Sequence, residues 1–201
     1  MTETLINTIY QLKIELDNLD PIIWRRVLVP SNYSFAQLHD VIQSAMGWTN
    51  SHLHEFIFDF KKDYSGTRIS MAMTDDCDNQ EEASDENTEL LSTWFAKKKK
   101  AKYLYDFGDS WMHTITVEKV IEPALNQTYP QCIDGEYACP PEDCMGAPGY
   151  SELMMAWHAV ADGDTVDEEM QDRLDFYRIK DPYTFNPKKV KFRKALTTIA
   201  T

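Results

Sequence analysis

The stretch from residue 102 to residue 121 constrains the fold more than any other. Lys-Tyr-Leu-Tyr-Asp-Phe (102–107) and Trp-Met-His-Thr-Ile-Thr-Val-Glu-Lys-Val-Ile (111–121) are rich in aromatic and β-branched residues, and only Gly108-Asp109-Ser110 separates them. Two such runs around a tight turn predict an antiparallel hairpin. Side chains alternate along a strand, so Trp111, His113, Ile115 and Val117 share one face.

Other segments carry the same period of two. Tyr10, Leu12, Ile14 and Leu16 alternate with Gln11, Lys13 and Glu15, and residues 22–29 form a second run beyond the turn-like Asn18-Leu19-Asp20-Pro21. Residues 52–60 predict a third strand with His52, His54, Phe56, Phe58 and Phe60 on one face, and 67–73 predict a fourth. Between them lies a helix. Ser34 and Gln37 form a capping box, Phe35, Leu38, Val41, Ile42, Ala45 and Met46 follow helical spacing, and Gly47 closes it.

Leu90, Leu91, Trp94 and Phe95 suggest a short helix, and Lys97 to Lys100 a solvated turn. Residues 122–149 form a long loop rich in Pro, Gly and Cys. Three further helices are expected: over 151–161, from Thr165 with Glu168 as capping partner, and from Asn186 with Pro187 at its first position. The order of elements predicts an α+β fold, a mainly antiparallel sheet of about five or six strands covered by helices. With 201 residues, the chain is read as one domain over 1–201. The segment 74–90 is read as a mobile acidic loop, because Asp75, Asp76, Asp78, Glu81, Glu82, Asp85, Glu86 and Glu89 leave no apolar period.

Charge narrows the function classes. A net charge of −13 opposes non-specific binding to nucleic acid and to anionic lipid. No run approaches the ~20 apolar residues of a membrane span. The first residues lack the basic and apolar regions of a signal peptide, so the cytoplasm is the expected compartment. There Cys77, Cys132, Cys139 and Cys144 are expected to be reduced.

Four segments in order carry a resemblance. They are Ile23-Trp24-Arg25-Arg26; Met46-Gly47-Trp48 through Ser51-His52-Leu53-His54-Glu55-Phe56; Tyr103 through Trp111; and Cys139-Pro140-Pro141-Glu142-Asp143-Cys144 followed by Gly149-Tyr150. Together they resemble the plasmid pRiA4b ORF-3-like family over about residues 8 to 198. The resemblance implies a compact α+β domain, found alone or attached to other modules, with no established biochemical function. Some members carry transposon-resolvase labels. The chain departs from the family pattern at Met145-Gly146, where a Gly-Gly pair is expected.

Two constellations could carry chemistry. His52 and His54, two apart on a strand, would offer two imidazoles to one side. With Asp106, Asp109 and His113 from the hairpin they could hold zinc with an open position, or act as acid and base. The alternative is hydrogen bonding within an aromatic-rich sheet. Cys132, Cys139 and Cys144, with Glu142 and Asp143, form the second set. The cysteines could be zinc ligands or thiols packing a Pro-rich loop, and packing is the expectation. Glu142 and Asp143 could cap the following helix or bind a cation.

Arg25 and Arg26 point to opposite faces, one exposed and the other suited to a buried carboxylate such as Asp106. Lys188, Lys189, Lys191, Arg193 and Lys194 give the last helix, over 188–194, a basic face that could meet nucleic acid. The leading expectation is a non-catalytic binding or accessory module with a protein or small-molecule partner. The alternatives are a zinc-type hydrolase using His52, His54, Asp106 and His113, and a nucleic-acid-associated protein.

Overall fold

The computed structural model describes residues 8–61, 65–71 and 83–199. Strands β1 (Ile9–Leu16) and β2 (Trp24–Pro30) form the first expected hairpin, with Leu12 opposite Val27 and Ile14 opposite Arg25. Helix α1 (Phe35–Met46) follows with its capping box complete: Ser34 accepts from Gln37 N, and the Gln37 side chain accepts from Ser34 N. Gly47 ends it at φ +89°, a left-handed conformation that only glycine takes without steric cost. Strands β3 (His54–Phe58), β4 (Thr67–Ser70) and β5 (Ser84–Asp85) come next, then the short helix α2 (Leu91–Phe95). The second hairpin is β6 (Lys100–Tyr105) with β7 (Trp111–Ile121). Strands β8 (Thr128–Tyr129) and β9 (Gln131–Glu136) lead into helices α3 (Gly146–Ala161) and α4 (Glu168–Tyr177), and β10 (Thr198–Ile199) closes the order.

Among the described residues eight strands make one mixed sheet, ordered β5-β4-β3-β6-β7-β1-β2-β9, while β10 pairs with β8 apart from it. This corrects the expected five- or six-stranded antiparallel sheet, although the class remains α+β. The parallel contact is β4 with β5. The two unforeseen members of the sheet are its edges. β5 is two residues of an acidic segment, and β9 lies in the Pro-, Gly- and Cys-rich loop. An edge strand needs one neighbour's hydrogen bonds and little apolar alternation, so neither leaves a periodic signal.

The core lies between the sheet and α1. Phe35 sits edge-on to Phe56 and Phe58 at 5.0 and 5.6 Å. Leu38, Val41 and Ile42 are fully buried beside them. On the other face Arg26 bridges Glu118 and Asp134.

The acidic segment contributes to this core. Residues 74–82, with Cys77, lie outside the described residues, but 83–90 are built in. Glu89 and Glu86 carbonyls accept from Phe35 N and Ala36 N, two amides that the first turn of α1 leaves free.

Three helix expectations are corrected. The helix expected from Thr165 with Glu168 as capping partner begins at Glu168, and its cap is Asp167, whose side chain accepts from Met170 N. α3 begins at Gly146, five residues before the expected 151, because its first turn is set by packing and not by periodicity. The basic helix expected over 188–194 is replaced by two 3-10 turns, Pro187–Lys189 and Lys194–Leu196. This stretch is held by long-range contacts: the Tyr33 hydroxyl donates to the Leu196 carbonyl, Leu196 is buried, and Arg193 pairs with Asp40. Among the described residues no helix is long and apolar enough to cross a membrane.

Candidate functional site

Three loops meet at one end of the sheet: residues 47–53 between α1 and β3, the hairpin turn 106–110, and the segment 137–145 before α3. Each is locked by its own sequence. Asp106, at φ +57°, turns its Oδ1 back to accept from Gly108 N (2.9 Å) and Asp109 N (3.3 Å). Asparagine and aspartate suit this geometry because the short side chain supplies the turn's acceptor. Asp106 N in turn donates to the Leu53 carbonyl, tying the first loop to the second.

Glu142 ties the third loop to the first. It accepts from Thr49 N at 2.9 Å, from the Thr49 hydroxyl at 2.7 Å and from the Tyr105 hydroxyl at 2.5 Å. Helix capping, the expected role of Glu142, is therefore replaced by loop clamping. Trp48 Nε1 donates to the Pro140 carbonyl, and its ring stacks on Tyr105 at 5.0 Å. Gly146, at φ +65°, lets α3 approach the hairpin so closely that a Cβ there would collide with the Asp109 carbonyl.

His52, Asp106 and Asp143 converge here. One ligand atom from each lies within 4.8 Å of the others. His52 Nδ1 is 3.6 Å from Asp106 Oδ2, and Nε2 is 3.2 Å from Asp143 Oδ1. The Nε2 contact is not aligned as a hydrogen bond, and this atom is shielded from solvent without a partner. Asp109 Oδ2, Trp111 Nε1 and His113 Nε2 are in the same condition. Trp111 and His113 both pack against Trp48, at 5.9 and 5.4 Å, and His52 sits edge-on to Tyr105.

The five residues expected to form one cluster do not all meet. β3 begins at His54, so His52 lies before the strand and the alternation does not extend to it. His54 instead bonds Glu86 through Nε2 at 2.6 Å and stacks on His39, with ring centroids 3.4 Å apart. His113 is fully buried, with Nδ1 facing the Tyr103 and Trp111 carbonyls. Burial lowers its pKa to about 4, so the ring is neutral at pH 7.

The second expected set divides as well. Asp143 joins His52 and Asp106, but no cysteine belongs to a ligand group of three among the described residues. Cys144 is fully buried, and Cys132 and Cys139 are partly buried. Burial pushes the Cys132 thiol up to about 11 and the thiols of Cys139 and Cys144 up to about 12. Arg25, 1% exposed, does not reach Asp106. Its guanidinium donates to the carbonyls of Ala45, Trp24 and Glu136 and lies 3.7 Å over the Phe185 ring.

His39 and Glu86 escaped the sequence reading. His39 could have been found, since it sits beside Leu38 on the inward side of α1. Glu86 could not, because nothing local separates it from its acidic neighbours.

The model of the family described as plasmid pRiA4b ORF-3-like protein matches residues 8–194. An uncharacterized protein, y4hQ of Sinorhizobium fredii, is 37% identical over 153 residues, covering 76% of this chain and 74% of its own. The crystal structure of MM3350, a protein of unknown function from Methanosarcina mazei Go1, superposes with a TM-score of 0.81 at 34% identity. It covers 94% of this chain and all of the other.

Proposed function

The chain belongs to the plasmid pRiA4b ORF-3-like family, and from that premise we propose that it is a non-catalytic binding or accessory module whose ligand site is the three-loop end. One observation carries this reading: His52 Nε2, Asp109 Oδ2, Trp111 Nε1 and His113 Nε2 are all shielded from solvent without a hydrogen-bond partner. Each such atom costs about 1–3 kcal/mol, and native folds leave few of them. Four in one region, around an aromatic wall of Trp48 and Tyr105, favour a site that a ligand or bound water completes.

The hydrolase alternative needs His52, His54, Asp106 and His113 on one substrate, whereas His54 is spent on Glu86 and His113 faces backbone carbonyls. A protein or small-molecule partner fits better than nucleic acid. The net charge is −13, and Arg193 of the basic stretch is already paired with Asp40.

The test is a ligand screen read by the indole N–H resonances of Trp48, Trp111 and Trp157 in ¹⁵N-labelled protein. Ligands of this site shift Trp111, whose N–H has no partner, and leave Trp157 still. Trp157 lines a separate cleft of about 440 Å³ between α3 and α4. Hits that move Trp157 alone would place binding in that cleft and end the three-loop reading.

A further inference from the structure

We infer that the three-loop end binds one divalent transition-metal cation of the zinc class through His52, Asp106 and Asp143. The inference deepens the reading of this end as a ligand site and rests on it.

A neutral imidazole has one donor and one acceptor nitrogen, and an ionised carboxylate only accepts. In His52 both nitrogens face carboxylate oxygens, at 3.6 and 3.2 Å. Neither contact is an aligned hydrogen bond, and Nε2 is sealed from water. An ordinary structural His–Asp pair would align one N–H and leave the other nitrogen to solvent. One ion can occupy only one of the two ring nitrogens, and one nitrogen of His52 lies within 4.8 Å of an oxygen of both Asp106 and Asp143, so a single cation can be reached by all three side chains.

The donor set fits the chemistry. Zinc takes imidazole nitrogen and carboxylate oxygen at about 2.0–2.2 Å, which places tetrahedral ligands roughly 3.3–3.6 Å apart. The three atoms lie within 4.8 Å of each other, so closure needs a shift of about one ångström. Asp143 can supply it, because its side chain is 71% exposed and carries no other bond that would hold it. Asp106 cannot move, and need not. Its Oδ1 is fixed by the turn amides, which aims Oδ2 at His52. Three protein ligands leave a coordination position open, where a partner's carboxylate or a water would bind.

The ligands come from all three loops, so the ion would also pin them to one another.

The experiment is calorimetric titration of chelator-treated, dialysed full-length protein with zinc chloride, repeated with manganese and magnesium. The wild-type chain is expected to bind one zinc per molecule. His52→Gln and Asp143→Asn are expected to weaken that binding by about 10- to 100-fold or more. Asp143→Asn alters an exposed side chain, and its urea midpoint without metal should equal the wild type's. Absence of stoichiometric zinc binding overturns the inference, as does binding unchanged in both variants. Binding lost only in Cys139→Ser would also overturn it, placing the ion in the cysteine loop. Magnesium binding as tight as zinc would overturn the transition-metal class. If zinc fails while Trp111 still responds to another ligand, the metal is excluded and the binding-module reading stands. If zinc fails and Trp111 responds to nothing, both fall.

Discussion

His113 and His39 are both enclosed by the core, and burial holds both imidazoles neutral. The pKa of His113 falls to about 4, and that of His39 to about 3 with the neighbouring His54 adding to the effect. In the unfolded chain each returns to about 6.5. Below that pH the unfolded chain binds protons that the folded protein refuses, so stability falls with acidification. The contribution is intact above about pH 6.5 and is lost as the pH drops toward 4. His113 alone accounts for roughly 3 kcal/mol at the lower end. Urea unfolding followed from pH 7.5 to pH 4.5 should show this decline, and a flat profile would contradict the buried neutral state. At this scale the sequence was partly legible. The alternation of the second hairpin put His113 on the inward face, but the Glu86 and His39 partners of His54 needed contacts from distant segments.

At the scale of elements, the turn into α3 holds a testable strain. Met145 adopts φ +72° just before Gly146 at +65°. A side chain in the left-handed region costs roughly 1–2 kcal/mol, of which the entropy glycine loses on folding returns about 0.5–1. The Met145 side chain is 67% exposed, so little packing is lost with it. Met145→Gly should therefore stabilise the protein by about 0.5–1 kcal/mol, read as a higher urea midpoint. A lower midpoint would mean that the thioether contributes contacts which its exposure conceals. The capping box at Ser34 and the closing glycine at Gly47 were readable because both are encoded within one turn. The start of α3 was not, because Gly146 is placed by the hairpin turn it presses against.

For the whole molecule, the cysteines report on cooperative unfolding. Burial raises all three described thiols, Cys139 and Cys144 to about 12. The reactive thiolate is therefore scarce at pH 8. In a Cys77→Ser background, iodoacetamide should label Cys132, Cys139 and Cys144 only as the protein unfolds, with the same dependence on urea as the loss of tertiary structure. Adding a chelator should change nothing, since none of the three belongs to the proposed ion site. Rapid native labelling of Cys139 would refute the packing role, and labelling that appears only after chelation would assign the thiols to a metal.

The sequence by itself determined the α+β class, both hairpins, α1 with its caps and the family. Each is written in short-range periodicity, in turn residues, or in motifs that stand in order along the chain. It did not determine the edges of the sheet or the membership of the site. β5 and β9 exist because neighbouring strands offer them unpaired backbone groups, and that information lies in the neighbours. His52 and His54 are two residues apart, yet the first turns toward Asp106 and Asp143 while the second pairs with Glu86. Strand alternation could not foresee this, because β3 starts between them. The split follows from where the Asp106 amide grips the Leu53 carbonyl, a contact made only once the hairpin has docked.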